Sequence, residues 1–236
     1  MDHNFHGDDK NKFVLHIMNY LHWDKKTITD FSGKNITNLY NQGYVFTRLG
    51  KGVMHQTRSV RINLAKFEPT SENKRILKKV DDIAMQEVTL PYGEYHWSLG
   101  KLAQDFYEAK FGSGIMSTQK VKEMLTDKEK SNFNILLIFS NPQDIIGYVI
   151  CYLDSEIIHY SYPFYDLGKS SKDMGLGMMT KTIQYAKGKG LKYAYLGSLQ
   201  RSGDTYKIQF DGLEWFDGKS WQTDIKEVKK ILAAII

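Results

Sequence analysis

The sequence predicts an α+β protein, on three observations. Apolar strand-like runs alternate with segments whose apolar residues recur at helical spacing. The stretch from Ile145 to Trp221 reads strand, strand, glycine loop, helix, strand, strand. A shorter α+β region of its own character precedes it, so the chain divides into 1–83 and 84–236.

Each element follows from local chemistry. Phe13 to Trp23 is apolar at Phe13, Leu15, Ile17, Met18 and Leu21, a pattern that suits helix and strand equally, and Asp30 to Gly33 is a turn. Asn35 to Gly43 reads as a helix with Ile36, Leu39 and Tyr40 on one side, stopped by glycine. Tyr44 to Arg48 and Val60 to Leu64 read as strands around a Gly50-Lys51-Gly52 turn. Pro69-Thr70-Ser71 starts a helix whose face carries Ile76, Leu77, Val80 and Ile83. Tyr92 to Trp97 reads as further sheet, while Leu99, Leu102, Ala103 and Phe106 mark a helix and Thr118 to Leu125 another. Asn134 to Phe139 and Asp144 to Tyr152 are strands, and Leu153-Asp154-Ser155 turns the second into a hairpin ending at Phe164-Tyr165-Asp166. Lys172 to Gly177 opens a helix carrying Met179, Ile183 and Ala186, which Gly188 and Gly190 stop. Leu191 to Leu196 is a strand. Tyr206 to Phe210 with Leu213 to Trp215 reads as a closing hairpin, and Ile225, Val228, Ile231 and Leu232 as an amphipathic terminal helix.

Composition narrows the classes. With 32 basic and 27 acidic side chains the formal charge is +5, which permits a polyanionic partner without demanding one. The basic residues are unevenly spread: Arg48 to Lys79 holds nine Lys or Arg and two Glu, a local +7, either a solvated face or a surface for phosphates or acidic peptide. The single cysteine, Cys151, stands in an apolar run and reads as a buried core residue of a protein in a reducing compartment. The polar first dozen residues carry no secretory pattern, and no apolar run is long enough to span a bilayer, so the expectation is a cytoplasmic protein without a membrane partner. His3, His6, Asp8 and Asp9 lack ligand spacing, and no metal is expected.

Unpaired N–H groups and the positive dipole end make a helix N-terminus suited to phosphate, and glycine lets the ligand approach. The spacing Lys172-x-x-Gly175-x-Gly177 resembles the pyrophosphate-gripping Q/R-x-x-G-x-G/A loop of the Gcn5-related acyltransferase fold, with Lys in place of the usual first residue. Further motifs sharpen the resemblance. Phe164-Tyr165-Asp166, Gly190-Leu191-x-Tyr193-x-Tyr195-Leu196-Gly197, Tyr206-Lys207-x-x-Phe210, Leu213-Glu214 and Gly218-x-x-Trp221 are similar to the C-terminal half of the aminoacyl-tRNA protein transferases, the arginyl enzymes of eukaryotes and their bacterial leucyl-transferring relatives. Leu39-Tyr40, Gly43-Tyr44, Arg48-x-Gly50, Ser59-x-Arg61, Phe67-x-Pro69-x-Ser71 and Arg75 resemble the N-terminal half. One departure stands out. Members of that family generally place cysteines between the positions of Gly50 and Arg61, where this chain has Val53, Met54, His55, Gln56 and Thr57, so no cysteine-bound cofactor is implied.

The resemblance implies a Gcn5-related N-acyltransferase-like mixed sheet flanked by helices, residues 84–236, behind an N-terminal region that faces acceptor and tRNA. It implies an aminoacyltransferase moving leucine or arginine from charged tRNA to the N-terminal α-amine of proteins that begin with Asp- or Glu-type residues, tagging them for degradation. The donor would be aminoacyl-tRNA, with no further cofactor, and the enzyme a monomer. Lys172, Gly175, Leu176 and Gly177 would meet the donor's terminal adenosine and phosphates, while Tyr206, Lys207 and Gln209 would line the cleft.

Such a reaction asks little of a base, because the ester is already activated and an α-amine of pKa about 7.7 to 8.0 is partly neutral at cytosolic pH. Asp166 at a strand end is the candidate to orient the amine or accept its proton, or else a turn cap. An acceptor carboxylate wants a fixed cation, for which Arg48, Arg58, Arg61 and Arg75 are candidates, as they are for tRNA phosphate. His159, within a strand, reads as a core or face histidine before a catalytic one. Two alternatives stay open: an acetyl-CoA-dependent N-acetyltransferase using the same glycine loop, and a non-catalytic relative that binds RNA or peptide.

Overall fold

The computed structural model describes residues 20–235. The His3, His6, Asp8 and Asp9 group and most of the Phe13–Trp23 run lie outside them. Eleven strands are described: β1 (Asp24–Thr27), β2 (Tyr44–Phe46), β3 (Val53–Gln56), β4 (Ser59–Asn63), β5 (Ala84–Thr89), β6 (Ile135–Ser140), β7 (Ile145–Leu153), β8 (Ile157–Tyr165), β9 (Tyr193–Ser198), β10 (Leu213–Phe216) and β11 (Trp221–Gln222). Six α-helices accompany them: α1 (Gly33–Asn41), α2 (Ser71–Lys79), α3 (Trp97–Phe111), α4 (Thr118–Thr126), α5 (Met174–Gly188) and α6 (Ile225–Ala233).

Helix starts follow side-chain capping. Ser32 accepts the Asn35 N–H before α1, and Thr70 and Asn73 exchange bonds across the start of α2. Asp224 accepts from Lys226 and Glu227 before α6. Strand character follows apolar content, and Ile135–Phe139 is buried on both faces, as a strand inside a covered sheet must be.

The main sheet has eight strands in the order β11-β10-β4-β9-β8-β7-β6-β5, and a small sheet has the order β1-β3-β2. All pairings are antiparallel except β8 with β9. This is the mixed sheet flanked by helices that the sequence implied. The core runs through it, with Trp215, Tyr40, Tyr195, Phe164, Phe139 and Ile62 almost wholly enclosed. Cys151 lies there too, and burial pushes its thiol up, so it is an inert core residue.

Three local expectations are corrected. Tyr92 to Trp97 is not sheet, because Pro91 and Gly93 interrupt it and α3 begins at Trp97. Tyr206 to Phe210 is not a strand: Ser202–Ile208 forms a 3-10 helix, because the Asp204 carboxylate accepts the N–H groups of Gln200 and Arg201 at 2.8 and 3.0 Å and closes a turn. Ile83 does not extend α2, which ends at Lys79. Strand β5 follows, unanticipated because its mostly exposed residues lack a clean apolar alternation.

Strand β4 lies between β9 and β10, so the division at residue 83 passes through one sheet. Its seam with β10 is polar. Arg61 faces Glu214 across the ladder and bonds its carboxylate through Nε and Nη2, both at 2.7 Å, with Asn41 Oδ1 at 2.9 Å and the Tyr195 hydroxyl at 3.2 Å. The rings of Tyr193 and Trp221 lie 3.8 and 3.9 Å from the guanidinium. A buried pair of this kind adds little over an apolar replacement, whereas stranding one member costs about 3–5 kcal/mol. Glu214→Ala therefore lowers unfolding free energy in urea by about that amount, and the Arg61→Met, Glu214→Leu double variant recovers most of it.

Candidate functional site

Strands β8 and β9 pair over only three residues, Ile157 to His159 against Tyr193 to Tyr195. Beyond that point β8 stays with β7 as far as Tyr165, while β9 stays with β4 as far as Ser198. Their facing main-chain groups no longer bond each other, and a wedge opens in the sheet with the α5 connection beside it. Unpaired strand backbone of this kind suits an extended peptide-like substrate.

One cation dominates the wedge. Lys207, at the end of the 3-10 helix, donates from Nζ to the Ser198 carbonyl at 2.8 Å and lies 3.4 Å from Asp204. Its side chain is only 12% exposed. Burial alone would push the ammonium down. The neighbouring Tyr206 and the Asp204 carboxylate outweigh that and raise it. Lys207 thus stays protonated and serves as a fixed positive charge, not a base. An ammonium has three donors, and Ser198 and Asp204 occupy two among the described residues.

Tyrosines surround it. Burial raises the hydroxyls of Tyr107, Tyr160, Tyr162 and Tyr165, with Tyr206 adding to it at Tyr107, Tyr160 and Tyr165, and the Tyr20 hydroxyl lies 3.0 Å from Ser198 Oγ. Arg48 reaches the same hollow from the end of β2. Its Nη2 donates to the Ile115 carbonyl at 2.7 Å, and its charge acts on Tyr107 and Tyr162. Residues Tyr20 and Leu21 are fastened beside β9 by Gln200, which accepts from the Leu21 N–H at 2.8 Å and donates to Thr57 Oγ1 at 2.6 Å. Among the described residues, Lys207 and Arg48, several phenols and the Asp204 carboxylate thus come together beside the wedge. This arrangement can bind anionic and polar groups, and no nucleophile–base pair stands out among the described residues.

His159 sits where the strands part. It is buried, its Nδ1 is 2.9 Å from the Tyr40 hydroxyl, and burial followed by the nearby Lys207 charge pushes its pKa down to about 3. The neutral ring is what the sequence reading expected of a strand histidine.

Of the residues singled out from the sequence, Tyr206 and Lys207 meet in the wedge, with Arg48 beside them. Gln209 is drawn away, donating to the Tyr206 carbonyl at 2.6 Å. Arg58 is half-buried and donates to the Leu199 carbonyl at 3.4 Å, with no carboxylate partner among the described residues; burial pushes it down. Four sets of candidates are engaged by other groups of the fold. Asp166 accepts the Gly168 and Lys169 N–H groups at 2.8 and 3.2 Å and is a turn cap. Arg61 is consumed by Glu214, and Arg75 by Glu72 at 2.5 Å, with Asp173 at 3.8 Å. Gly175 and Gly177 do not form an open loop: they lie in the first turns of α5, where a Cβ on Gly175 would stand 3.1 Å from the Tyr165 hydroxyl and one on Gly177 2.7 Å from Val80. Asp173, bonded to Lys79 at 2.6 Å, already lays a carboxylate against that helix end. Lys172 is exposed ahead of α5, and Leu176 is half-buried against the core.

Sequence reasoning missed Tyr20, Tyr107, Tyr162 and Asp204. The dense tyrosines of Tyr160-Ser161-Tyr162-Pro163-Phe164-Tyr165 were the available signal for the phenolic lining. No group of metal-ligating residues and no helix long and apolar enough to cross a membrane is found among the described residues.

A strand pair that parts after a brief parallel contact, joined by a helix whose start lies at the opening, is a mixed α+β arrangement of the Gcn5-related acyltransferase-like fold that the resemblance implied. No protein-family model matches the chain. It is similar to proteins named aspartate/glutamate leucyltransferase, in keeping with the resemblance that the sequence motifs carry. The one from Cereibacter sphaeroides is 27% identical over 175 residues, 70% of this chain and 61% of that protein. Those from Alkalilimnicola ehrlichii and a Ruegeria species are 26% and 24% identical, over 79% and 89% of this chain and 81% and 80% of theirs. The chain thus spans about three fifths of the length of the Cereibacter relative. Solved structures of similar shape include L-PGS from Bacillus licheniformis, with a TM-score of 0.47 at 12% identity over 85% of this chain and 69% of that one. Another is a GCN5-related glucosamine N-acetyltransferase region of a fungal β-N-acetylglucosaminidase, at 0.45 and 8% identity over 80% of this chain and 22% of that one.

Packing accounts for Gly177, so enlarging it is costly in a specific way. Gly177→Ala lowers the thermal midpoint by the equivalent of about 1–3 kcal/mol, and adding Val80→Ala restores part of that loss. The neutral His159 makes folding acid-sensitive. An unfolded histidine titrates near 6.5 and this one near 3, so stability is complete above about 6.5 and declines as pH falls toward 3, at up to about 1.4 kcal/mol per pH unit. Urea titrations at pH 4 to 7 show a shallower slope for His159→Gln.

Proposed function

We propose that this protein is an aminoacyl-tRNA protein transferase that moves leucine from leucyl-tRNA to the free α-amine of proteins beginning with aspartate or glutamate, marking them for degradation in the cytoplasm. The observation that carries the reading is Lys207, a buried ammonium in a phenol-lined wedge, in a chain related to aspartate/glutamate leucyltransferases. Leucine is preferred over arginine as donor because those relatives are named for it, and no carboxylate besides Asp204 is described in the hollow to receive a guanidinium.

The chemistry fits the groups present. The donor ester needs positioning and stabilisation of developing negative charge rather than a strong base. Lys207 supplies a permanent positive charge at the wedge, and the parted strands offer backbone partners to an extended acceptor terminus. Arg48 and Arg58, the two sequence-named arginines without a carboxylate partner among the described residues, are the cations for the acceptor's acidic side chain or the donor's phosphates. The donor's terminal nucleotide stacks on Tyr206, which is 43% exposed at the rim. The Lys172 to Gly177 helix start is a weaker phosphate site than its spacing suggested, since Tyr165, Val80 and Asp173 cover it. The enzyme acts as a monomer and needs no cofactor beyond the charged tRNA.

The test supplies tRNAs charged with labelled leucine or arginine and peptides starting with Asp, Glu or Lys. Label from leucyl-tRNA enters the Asp and Glu peptides alone. Acetyl transfer from acetyl-CoA with no incorporation from tRNA overturns the reading in favour of an N-acetyltransferase. Lys207→Ala lowers kcat/KM by roughly 10- to 100-fold, the equivalent of a lost charged hydrogen bond, with an unchanged circular dichroism spectrum. Arg48→Ala raises KM for one substrate, and which KM moves tells acceptor contact from phosphate contact.

A further inference from the structure

The apex of the wedge holds a side chain whose hydrogen bonds fix its protonation in detail. Tyr40 is fully buried, and its oxygen accepts the Phe46 N–H at 3.4 Å. The Tyr40 hydroxyl has one proton, and the only acceptor it reaches among the described residues is His159 Nδ1, at 2.9 Å. Nδ1 is therefore the unprotonated nitrogen, and the neutral ring carries its hydrogen on Nε2. The ring cannot reorient freely, because Tyr40 meets it edge-on at 5.5 Å and is itself clamped by Tyr195 at 4.8 Å. His159 is the last residue of β8 that pairs with β9, and the side-chain bond it makes to a described residue is through Nδ1, not Nε2. Nε2 is not among the sealed, unpartnered donors of the described residues, so its hydrogen, held in one tautomer where the strands part and near the Lys207 charge, is available to an acceptor that arrives with a substrate.

We propose that His159 is a catalytic hydrogen-bond donor whose Nε2–H holds the carbonyl oxygen of the donor ester at the apex of the wedge and stabilises the oxyanion formed there. The inference rests on the transferase reading. The acceptor nitrogen attacks the ester carbon, a C–N bond forms and the carbonyl electron pair moves to oxygen, where Nε2–H and the Lys207 charge meet it. Collapse breaks the C–O bond, and the leaving ribose oxygen takes the proton that the attacking nitrogen releases. The imidazole stays neutral throughout and moves no proton, so its contribution is that of a fixed dipole aimed where charge develops.

Two substitutions separate the two ring nitrogens. The amide of glutamine places an N–H near the Nε2 position, and that of asparagine near Nδ1. With labelled leucyl-tRNA and an Asp-initiated peptide, His159→Asn lowers kcat by roughly 10²- to 10³-fold with KM little changed, while His159→Gln keeps at least about a tenth of wild-type kcat. Equal losses in both variants, or a loss in neither, overturn the assignment. A second measurement needs no turnover and covers a variant that fails to fold. Long-range proton–nitrogen NMR of wild-type protein labelled at histidine finds His159 protonated at Nε2 at pH 7, and an Nδ1–H ring overturns the proposal. Wild type that transfers nothing from any charged tRNA sinks the transferase reading instead, a result separate from either histidine outcome.

Discussion

The short parallel contact between β8 and β9 is the constraint on which the site depends. Three paired residues hold the two halves of the sheet together, and each strand then follows its other neighbour. The opening is made by main-chain bonding rather than by bulky side chains, so it keeps polar backbone along both walls. Everything placed there serves that opening: Lys207 braced on the β9 carbonyl of Ser198, phenols from four separate segments, and a neutral histidine at the apex. Charge inside the wedge is positive and sparse, which suits a reaction whose transition state gathers negative charge on one oxygen.

Much of the fold was legible because the elements that matter have strong local signals. The β7–β8 hairpin, α5 and β9 follow from apolar periodicity bounded by glycine and polar turns; structure and reading agree to within about two residues for the strands and the end of α5, while its start comes earlier, at Met174. The failures have distinct physical causes. The segment around Tyr206 has strand-like residues, yet three polar or flexible neighbours, Ser202, Gly203 and Asp204, offered the backbone a tighter bonding pattern and won. Strand β5 lies at the sheet edge with most of its side chains in water, so alternation never had to be written into it.

The site was legible in part. Tyr206 and Lys207 were found through motif resemblance, while the arginines show why a charge count misleads. Arg61 and Arg75 belong to the same basic segment as Arg48 and Arg58, but Glu214 and Glu72 neutralise them, and a sequence carries no mark of which cation has a partner far along the chain. The glycines before α5 are a case of one residue type answering two needs. Their spacing matches a phosphate loop, and their positions match close packing against Tyr165 and Val80.

The placement of β4 has a consequence for how the chain is made. This strand lies early, at Ser59–Asn63, yet its partners are β9 and β10, more than a hundred residues later. During synthesis from the N-terminus, a segment that the fold buries leaves the ribosome long before its partners can pair with it. Contacts so far apart slow folding. The nascent chain must therefore shelter that segment until β9 and β10 have emerged, and the wedge takes its working form only after them.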